Sequence, residues 1–451
     1  VSPEKLVVEL GTFAVDWVSG RPQPEKRSFA QVMSALADAQ IAPEFVSEMG
    51  NTSAVYVDAD GLQHRVWVLD AASAHNQMQT LDRLRVTSIG LSGLGYEDPG
   101  IWAVIDQAKR GLVLSGNTLE KIVFSNYVEQ LGQGPFVAPV AMPRTGNRLV
   151  LIEPVSNLVT SVKYTTIPRA SVARLYGKGP LNKVVLTFDD GPDPRYTADT
   201  LDILQSTETP AAFFVLGHNA IKSPKLLERI LADGHELGSH TYWHPKMGEI
   251  SASRATAEVN SVQLLVSGIT GKRMRLYREP YMRSGGPITS KEVASLMPLE
   301  KAGYIIAGMD IVPRDWLVQS SDQLAEEIIK QVEAKAGGVV LLHDGGGDQS
   351  QTVAALPKVI STLRNRGYEF TSIAEFLKTT PEVLMPDSNQ VTSTLSSLSF
   401  FAVGNSWSIL EIIFWMVFGI GIFRSILLLA FMARRTGHIP AGPEYQPSVT
   451  I

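Results

Sequence analysis

The chain has 451 residues, which exceeds one ordinary domain and predicts two or three. Its net charge of −5, without any cluster of Arg and Lys, argues against a nucleic-acid partner. The chain contains no cysteine, so disulfides and thiolate metal sites are excluded, and any metal must be held by His and carboxylate side chains. Val1 is not an initiator methionine, and we expect it to be a processed or truncated end.

Residues 1–108 are predicted to form a separate segment, which begins with an alternating apolar pattern over residues 6–17. This segment resembles the last third of a family-eighteen glycoside hydrolase barrel, on the stretches 66–70, 75–77 and 95–102. The resemblance implies a partial (β/α)-barrel-like segment. The acidic D-x-x-D-x-D-x-E strand that supplies the proton donor of such hydrolases is absent, so we do not expect glycosidic-bond hydrolysis. Residues 109–180 are predicted to be a β-rich connector.

Residues 181–378 alternate short β-rich runs with amphipathic stretches, which is the pattern of a deformed parallel (β/α) barrel in the α/β class. Thr289 with Glu292, and Ser320 with Gln323, have capping-box spacing at the starts of two predicted helices. Barrel enzymes carry out their chemistry at the carboxyl ends of the strands, so polar residues there are candidate site residues. We predict about seven parallel strands, over residues 184–188, 211–216, 235–240, 276–281, 305–310, 339–343 and 368–371.

Chemically active side chains fall at or just after these strand ends. Asp189 and Asp190 follow the first strand, and of two such carboxylates one can hold a metal while its neighbour accepts a proton. His240 and His244 offer two imidazoles four residues apart, although such a pair alone is more often solvated on a loop. Downstream follow Tyr277-Arg278-Glu279-Pro280-Tyr281, then Asp310 with Asp315-Trp316, and finally Leu341-Leu342-His343-Asp344.

With these residues the chain resembles the NodB-homology polysaccharide deacetylases, also called carbohydrate esterase family four. The five ordered motifs of that family read TFDDG, H-(S/T)-x-x-H, R-x-P, D-x-x-D-W and L-x-H, and their counterparts follow in the same order over residues 181–378. The resemblance implies a metal held by Asp190, His240 and His244, with open positions for water and substrate. A donor set of nitrogen and oxygen atoms favours Zn²⁺, with Co²⁺, Ni²⁺ and Mn²⁺ as alternatives.

The same resemblance implies a pair of proton-transfer groups. Asp189 would be the general base, and Arg278 would be the cation that keeps it ionised. His343 would be the general acid that protonates the leaving amine. Asp315 would raise the pKa of His343 and fix its tautomer.

Four further residues are expected to contact the substrate. Tyr281 would donate its backbone N–H to the oxyanion, as in the family. Trp316 and Leu341 correspond to apolar walls around the acetyl methyl group, and Pro280 completes the third motif. For an isolated Trp or Leu, core packing is the simpler explanation.

Residues 379–408 are rich in Ser, Thr and Asn and are predicted to be a linker. Residues 409–432 are long and apolar enough to cross a bilayer as a transmembrane helix, although Glu411 and Arg424 interrupt them. The alternative is a buried core helix. Within a membrane, Arg424 would face a partner helix or water rather than lipid.

The basic pair Arg434-Arg435 follows this stretch and predicts a cytoplasmic C-terminus, which leaves the deacetylase domain outside the cell membrane. Residues 433–451 end in Pro-Ser-Val-Thr-Ile, which resembles the opening strand of a family-two glycosyltransferase. We therefore expect the chain to belong to a fusion of hydrolase-like, deacetylase and glycosyltransferase parts, with the glycosyltransferase either fused or neighbouring.

We predict a membrane-tethered, metal-dependent N-deacetylase that acts on N-acetylglucosamine-containing polysaccharide or oligosaccharide, releases acetate and leaves a free amine. The alternative is a noncatalytic glycan-binding or assembly segment of a membrane polysaccharide synthase. The complete set of active side chains favours the enzyme, because a noncatalytic module would be free to lose Asp189 or a metal ligand.

Overall fold

The computed structural model describes residues 2–318, 320–388 and 406–434. The part of the chain before the predicted barrel contains thirteen strands and three α-helices within these residues. They are β1 Val7–Gly11, β2 Ala14–Val18, β3 Glu25–Arg27, α1 Phe29–Ala39, β4 Glu44–Val46, β5 Asn51–Val57, β6 Gln63–Val68, α2 Ala71–Arg83, β7 Ser88–Ser92, α3 Ile101–Lys109, β8 Lys121–Ile122, β9 Val128–Gly132, β10 Phe136–Ala141, β11 Gly146–Ile152, β12 Val159–Thr166 and β13 Ser171–Tyr176.

The first segment differs from the partial (β/α) barrel expected for residues 1–108. Its main sheet has eight strands in the order β3-β2-β6-β5-β4-β12-β11-β8, and all its pairings are antiparallel. Only β1 and β7 pair in parallel. The reason is local: Asp58 accepts hydrogen bonds from the backbone N–H groups of Asp60 and Leu62, which closes a tight turn between β5 and β6. A short turn of this kind joins antiparallel strands.

Residues 109–180 are β-rich as expected, but they are not a separate connector. Their strands β8, β11 and β12 complete the first sheet, whereas β9, β10 and β13 join the sheet of the following domain. Side chains of both groups are buried in different cores: Val150 and Val162 lie in the first, and Phe136 lies in the second. The chain therefore crosses between the two units three times before the barrel begins.

Among the described residues, the barrel domain contains the remaining strands and nine α-helices, and a further α-helix follows it. Its elements among the described residues are β14 Lys183–Asp189, α4 Tyr196–Ser206, β15 Ala211–Val215, α5 Gly217–Ala220, α6 Pro224–Ala232, β16 Glu236–Ser239, α7 Ala252–Thr270, β17 Leu276–Tyr277, α8 Ser290–Lys301, β18 Ile305–Ala307, α9 Ser321–Lys335, β19 Gly338–His343, α10 Ser350–Asn365, β20 Glu369–Phe370, α11 Ile373–Phe376 and α12 Pro381–Leu384, and the helix beyond is α13 Ser406–Arg434.

The strands from β14 to β19 pair in parallel in the order β19-β14-β15-β16-β17-β18, and β20 also pairs in parallel with β14. A bridge between Ile311 and Val340 links the chain after β18 to β19, so the ring of strands returns to its start. β14 and β15 are apolar runs that are buried on both faces, as expected of parallel strands covered by helices. On the other edge, β10 pairs with β18 in the antiparallel direction.

Two strands near the site are shorter than the sequence predicts. β17 ends at Tyr277 rather than at residue 281, and β18 ends at Ala307 rather than at residue 310. The Arg278 side chain explains where the pairing stops, because it donates hydrogen bonds to the carbonyl oxygens of Ala307 and Gly308. The chain after both strands therefore turns over the end of the barrel.

The predicted linker over residues 379–408 begins too early. Residues 379–388 belong to the barrel domain, because α12 lies against it and Leu384 and Met385 are buried in its core. Leu384 and Met385 lie in a segment rich in Ser, Thr and Asn, which is why a compositional argument assigns them to a linker. The remainder of the predicted linker, over residues 389–405, lies outside the described residues.

One apolar helix follows, and it is long enough to span a membrane. Residues Leu410–Arg434 of α13 form a 25-residue apolar stretch, and none of these residues is buried within the described part of the chain. By length and composition this helix could span a bilayer, and within the described residues it is not buried as a core helix would be. Arg435 and the predicted start of a glycosyltransferase lie outside the described residues.

Candidate metal centre and active site

The candidate residues gather at the carboxyl ends of neighbouring parallel strands. Asp189 ends β14 and Asp190 follows it, while His240 follows β16 and Arg278 follows β17. His343 ends β19, where it is the register partner of Asp189. Since the carboxyl ends of parallel strands meet at one rim of the barrel, residues distant in sequence are brought to one place.

Three side chains at this rim form a cluster that could hold a metal ion. One ligand atom from each of Asp190, His240 and His244 lies within 4.8 Å of the others. Asp190 Oδ1 is 3.5 Å from His240 Nε2 and 3.4 Å from His244 Nε2. Donors bound tetrahedrally at zinc distances would lie about 3.3 to 3.4 Å apart.

Two further observations fit a metal at this position. Asp190 Oδ1 is buried without a hydrogen-bond partner among the described residues, which is costly for a carboxylate unless a cation is supplied. His240 Nδ1 lies 2.9 Å from the carbonyl oxygen of Arg278, so this nitrogen carries the proton and Nε2 is left with its lone pair. The donor set therefore suits a divalent metal with nitrogen and oxygen ligands.

The loop that carries the two histidines is held from outside the cluster. The backbone N–H groups of Tyr242 and Trp243 donate to Glu258 Oε2 at 3.0 and 2.8 Å. His244 itself has a positive φ of 58°, and its N–H donates to Thr241 Oγ1 at 3.0 Å. Glu258 is buried in α7, so the orientation of the loop is set by a residue that sequence reasoning missed.

Asp189 forms a buried ion pair with Arg278. Arg278 Nη1 donates to Asp189 Oδ1 at 2.8 Å and to Thr187 Oγ1 at 2.7 Å, and the arginine side chain is fully buried. Its guanidinium also lies 4.1 Å from the centre of the Phe214 ring. The other carboxylate oxygen, Oδ2, is 3.7 Å from His240 Nε2. One oxygen of Asp189 is thus anchored while the second faces the cluster.

His343 forms a second pair, with Asp315. Its Nδ1 donates to Asp315 Oδ1 at 2.8 Å, and its backbone N–H donates to Asp315 Oδ2 at 2.8 Å. Thr352 Oγ1 also donates to Asp315 Oδ2. Burial alone would lower the pKa of His343, but the hydrogen bond and charge of Asp315, with the charges of Asp189 and Asp190, raise it to about 9. His343 is therefore protonated at neutral pH, as a proton donor must be.

The residues expected around the substrate lie beside these pairs. The Trp316 ring is 50% exposed and stands edge-on to the His343 ring at 5.2 Å. Tyr281 is 62% exposed, has a positive φ of 62° and stands edge-on to the His244 ring at 4.6 Å. Its backbone N–H makes no hydrogen bond within the described part of the chain. Leu341 and Pro280 are buried, so they contribute walls rather than exposed surface.

Two buried carboxyl groups near the site were not assigned a role from the sequence. Burial, with the charges of Asp189 and Asp190, raises the pKa of Asp344 to about 7, and Thr197 donates a hydrogen bond to it. Burial also raises the pKa of Glu279 to about 7, and its side chain accepts a hydrogen bond from Ser295. Both follow a motif residue directly, but nothing in the local sequence reveals that they are buried.

Known proteins resemble this chain over the barrel. A family model described as polysaccharide deacetylase matches residues 177–299. A peptidoglycan-N-acetylglucosamine deacetylase of Bacillus cereus is 36% identical over 201 residues, which are 43% of this chain and 88% of that protein. A chitooligosaccharide deacetylase of a Bradyrhizobium species is 34% identical over 216 residues, which are 45% of this chain and 94% of the relative. The structure of the chitin deacetylase of the fungus Colletotrichum lindemuthianum covers 47% of this chain and 93% of its own, with 28% identity and a TM-score of 0.42.

A (β/α)-barrel-like domain with deacetylases as relatives places the chain among hydrolytic enzymes. More narrowly, the chain belongs to the polysaccharide deacetylase family, since it is 36% identical to a member over 88% of that member's length. The matching family region ends at residue 299, before Asp315 and His343. The resemblances of residues 1–108 to a glycoside hydrolase and of the last residues to a glycosyltransferase stay predictions from the sequence.

Proposed function

We propose that this protein is a membrane-tethered, metal-dependent N-deacetylase of glycans that contain N-acetylglucosamine. The observation that carries the proposal is the convergence of three donors, from Asp190, His240 and His244, beside a buried Asp189–Arg278 pair and a buried His343–Asp315 pair. The names of two relatives, a peptidoglycan-N-acetylglucosamine deacetylase and a chitooligosaccharide deacetylase, support this substrate class.

The three donors would hold a divalent metal, for which Zn²⁺ is the first choice and Co²⁺, Ni²⁺ and Mn²⁺ are alternatives. When bound there, the metal would polarise the acetyl carbonyl and lower the pKa of a water molecule toward neutrality. The protein holds the donors ready for this role, because His240 is fixed by the Arg278 carbonyl and the His244 loop is fixed by Glu258.

Asp189 takes the proton from the attacking water as that water adds to the carbonyl carbon. Its Oδ1 is occupied by Arg278, so the free Oδ2, which faces the cluster, is the atom that accepts the proton. Arg278 compensates the negative charge of the buried base, which would otherwise be costly in this position. The guanidinium of Arg278 is also bonded to Thr187 and to two backbone carbonyl oxygens. These bonds hold it beside Asp189 rather than leaving it free to pair with the substrate.

His343 supplies a proton to the nitrogen as the C–N bond breaks, so that acetate and a neutral amine are released. An amine is a poor leaving group unless it is protonated, and a positioned acid typically contributes a factor of about 10² to 10⁴. Nδ1 of His343 is engaged by Asp315, so Nε2 is the nitrogen that gives up the proton. Asp189 and His343 are register partners on adjacent strands, so base and acid flank one reacting group.

The remaining residues would orient the N-acetyl group. The N–H of Tyr281, which makes no hydrogen bond to the described residues, is available to donate to the oxyanion, and its left-handed backbone conformation turns it out of the strand direction. Trp316 would cover the acetyl methyl group, with Leu341 behind it and Pro280 at the edge of the third motif. Their contacts to the catalytic side chains support this arrangement.

We further propose that α13 spans the cell membrane with the barrel outside and the C-terminus in the cytoplasm. The basic residue Arg434 at the end of the apolar stretch supports this orientation. A barrel outside the membrane would meet glycan exported by a fused or neighbouring glycosyltransferase. Protease added to spheroplasts should cleave within residues 181–378 and spare an epitope placed after Ile451. An accessible epitope with a protected barrel would reverse the orientation.

The chemistry is tested by analysing both products. The full chain, solubilised in detergent and supplied with Zn²⁺, is incubated with N-acetylglucosamine oligomers of defined length. We expect one acetate and one new free amine for each turnover, with the oligomer length unchanged by mass spectrometry. Shortened oligomers would indicate glycosidic-bond hydrolysis instead. Binding without either product would favour the alternative, a noncatalytic glycan-binding or assembly segment, which the comparisons do not support.

A further inference from the structure

We propose that Trp243 and His218 form a stacking platform that binds a second sugar ring of the substrate, next to the ring that loses its acetyl group. The proposal rests on the proposed function and extends it to substrate length. Trp243 lies between the second motif's Tyr242 and His244, yet its indole is 63% exposed and takes no part in the metal cluster.

The indole is stacked rather than loosely exposed. The Trp243 and His218 rings lie 5.0 Å apart with an angle of 10° between their planes. His218 is held in turn, because its Nδ1 lies 2.8 Å from the carbonyl oxygen of Tyr242. The imidazole therefore covers one face of the indole, while the exposed part of the indole offers a flat apolar surface to solvent.

The platform stands beside the metal cluster. Trp243 directly precedes His244, which is one of the three metal-ligand candidates. His218 belongs to α5, whose next residue, Asn219, donates a hydrogen bond to the carbonyl oxygen of Asp190. A sugar ring on the platform would thus neighbour a sugar ring whose acetyl group lies at the cluster.

The platform is held in place by hydrogen bonds and by close packing. Glu258 accepts hydrogen bonds from the backbone N–H groups of both Tyr242 and Trp243, and these bonds fix the position of the loop. Helix α5 packs closely on this loop: a Cβ atom added at Gly217 would overlap the Tyr242 ring. An aromatic side chain that is already ordered loses little conformational entropy when a ligand stacks on it.

The geometry selects the chemistry of the ligand. A β-linked hexosamine carries its substituents around the ring edge, which leaves ring faces lined with C–H bonds. The C–H bonds of such a ring face suit the negative face of an indole. Recognition of an N-acetyl group or of a charged group does not require a flat aromatic surface. The platform therefore favours substrates of at least two β-linked sugars over a single N-acetylglucosamine.

The test measures binding apart from turnover. The full chain, with Zn²⁺ and in an Asp189→Asn background that prevents consumption of the ligand, is titrated calorimetrically with a β-linked N-acetylglucosamine pentamer. Trp243→Ala should raise the Kd about tenfold, the scale expected for one lost aromatic stack with its buried area. Trp243→Phe should recover much of the affinity. The matched control is Trp102→Ala, which removes a 49% exposed indole from α3 and should leave the Kd unchanged.

In the background that retains Asp189, Trp243→Ala should raise KM for the pentamer by about the same tenfold factor, leave kcat within about twofold and bind the same amount of zinc. An unchanged Kd and KM in Trp243→Ala would overturn the platform. A failure of the pentamer to bind the Asp189→Asn chain with Trp243 intact would also overturn it. If the pentamer binds and Trp243→Ala weakens it, but the wild type releases no acetate, the proposed function fails while the platform stands.

Discussion

The pairing of His343 with Asp315 can be tested by changing one atom of its carboxylate. Asp315→Asn keeps the volume and an oxygen that can accept the Nδ1 proton, but it removes the negative charge. Asp315 is buried and provides both the side-chain and the backbone hydrogen bond that hold His343. Without this charge, burial becomes the dominant influence on His343, and burial lowers its pKa.

The size of the effect follows from the pKa of His343, which is raised from its ordinary value of 6.5 to about 9. A difference of about 2.5 corresponds to about 3 kcal/mol of preference for the protonated form, at 1.36 kcal/mol per pKa unit. The charges of Asp189 and Asp190 contribute a part of this, and Asp315 contributes the larger part. In the proposed mechanism the protonated imidazole is the active form, so wild-type kcat should hold up to about pH 9 and fall above it.

The assay is the rate of acetate release under saturating glycan between about pH 6 and pH 10, with zinc content measured in parallel. The alkaline limb of kcat for Asp315→Asn should move to lower pH by about two units or more. Asp322→Asn is the matched control, because the same change is made on an exposed residue of α9 that pairs with Lys358. An alkaline limb that stays in place in Asp315→Asn would refute the role of Asp315 as the group that raises the pKa of His343.

Four other variants test a proposed metal ligand, the proposed base, the proposed acid and the arginine that pairs with the base. His244→Ala should abolish tight binding of divalent metal in calorimetric titration, and retention of one zinc per chain at unchanged affinity would remove it from the ligand set. Asp189→Asn should remove activity and keep the metal, and His343→Ala should lower kcat by a factor of about 10² to 10⁴; activity within about twofold of wild type in either variant would mean that the roles are wrongly assigned. Arg278→Met should lower the free energy of unfolding in urea by about 3 to 5 kcal/mol, because it strands a buried carboxylate. The exposed control Arg273→Met should cost less than about 0.5 kcal/mol, and equal losses would argue against the buried pair.

Sequence patterns predict a structural feature correctly when the residues that form it are close together in the chain. Thr289 and Glu292 form the predicted capping box, with reciprocal hydrogen bonds at the start of α8. Ser320 and Gln323 have the same spacing, but Ser320 makes no side-chain cap. The N–H of the next residue, Ser321, donates to Gln351 Oε1, which lies 30 residues away. Spacing alone does not reveal whether a capping box forms, because it carries no information about residues distant in the chain.

The same limit explains which parts of the fold and the site escaped prediction. Apolar runs that end in active side chains mark the strands β14 and β19 and the rim on which Asp189 and His343 meet. The allocation of β11 and β12 to the first sheet depends on pairing with distant strands, and alternation of buried residues does not specify the partner strand. Glu258 holds the histidine loop from the middle of α7, where a buried glutamate has no local signature.

The central claim, a metal-dependent N-deacetylase, is tested most directly by removing and restoring the metal in one preparation. Acetate release from the β-linked N-acetylglucosamine pentamer is measured for the full chain as purified, after dialysis against a chelator, and after addition of Zn²⁺ in a one-to-one ratio to the chain. We expect acetate release to fall to the level of the Asp189→Asn variant after chelation and to recover once one zinc is bound per chain. Undiminished acetate release by a chain proven free of metal, or no release by a chain that holds one zinc, would contradict the account.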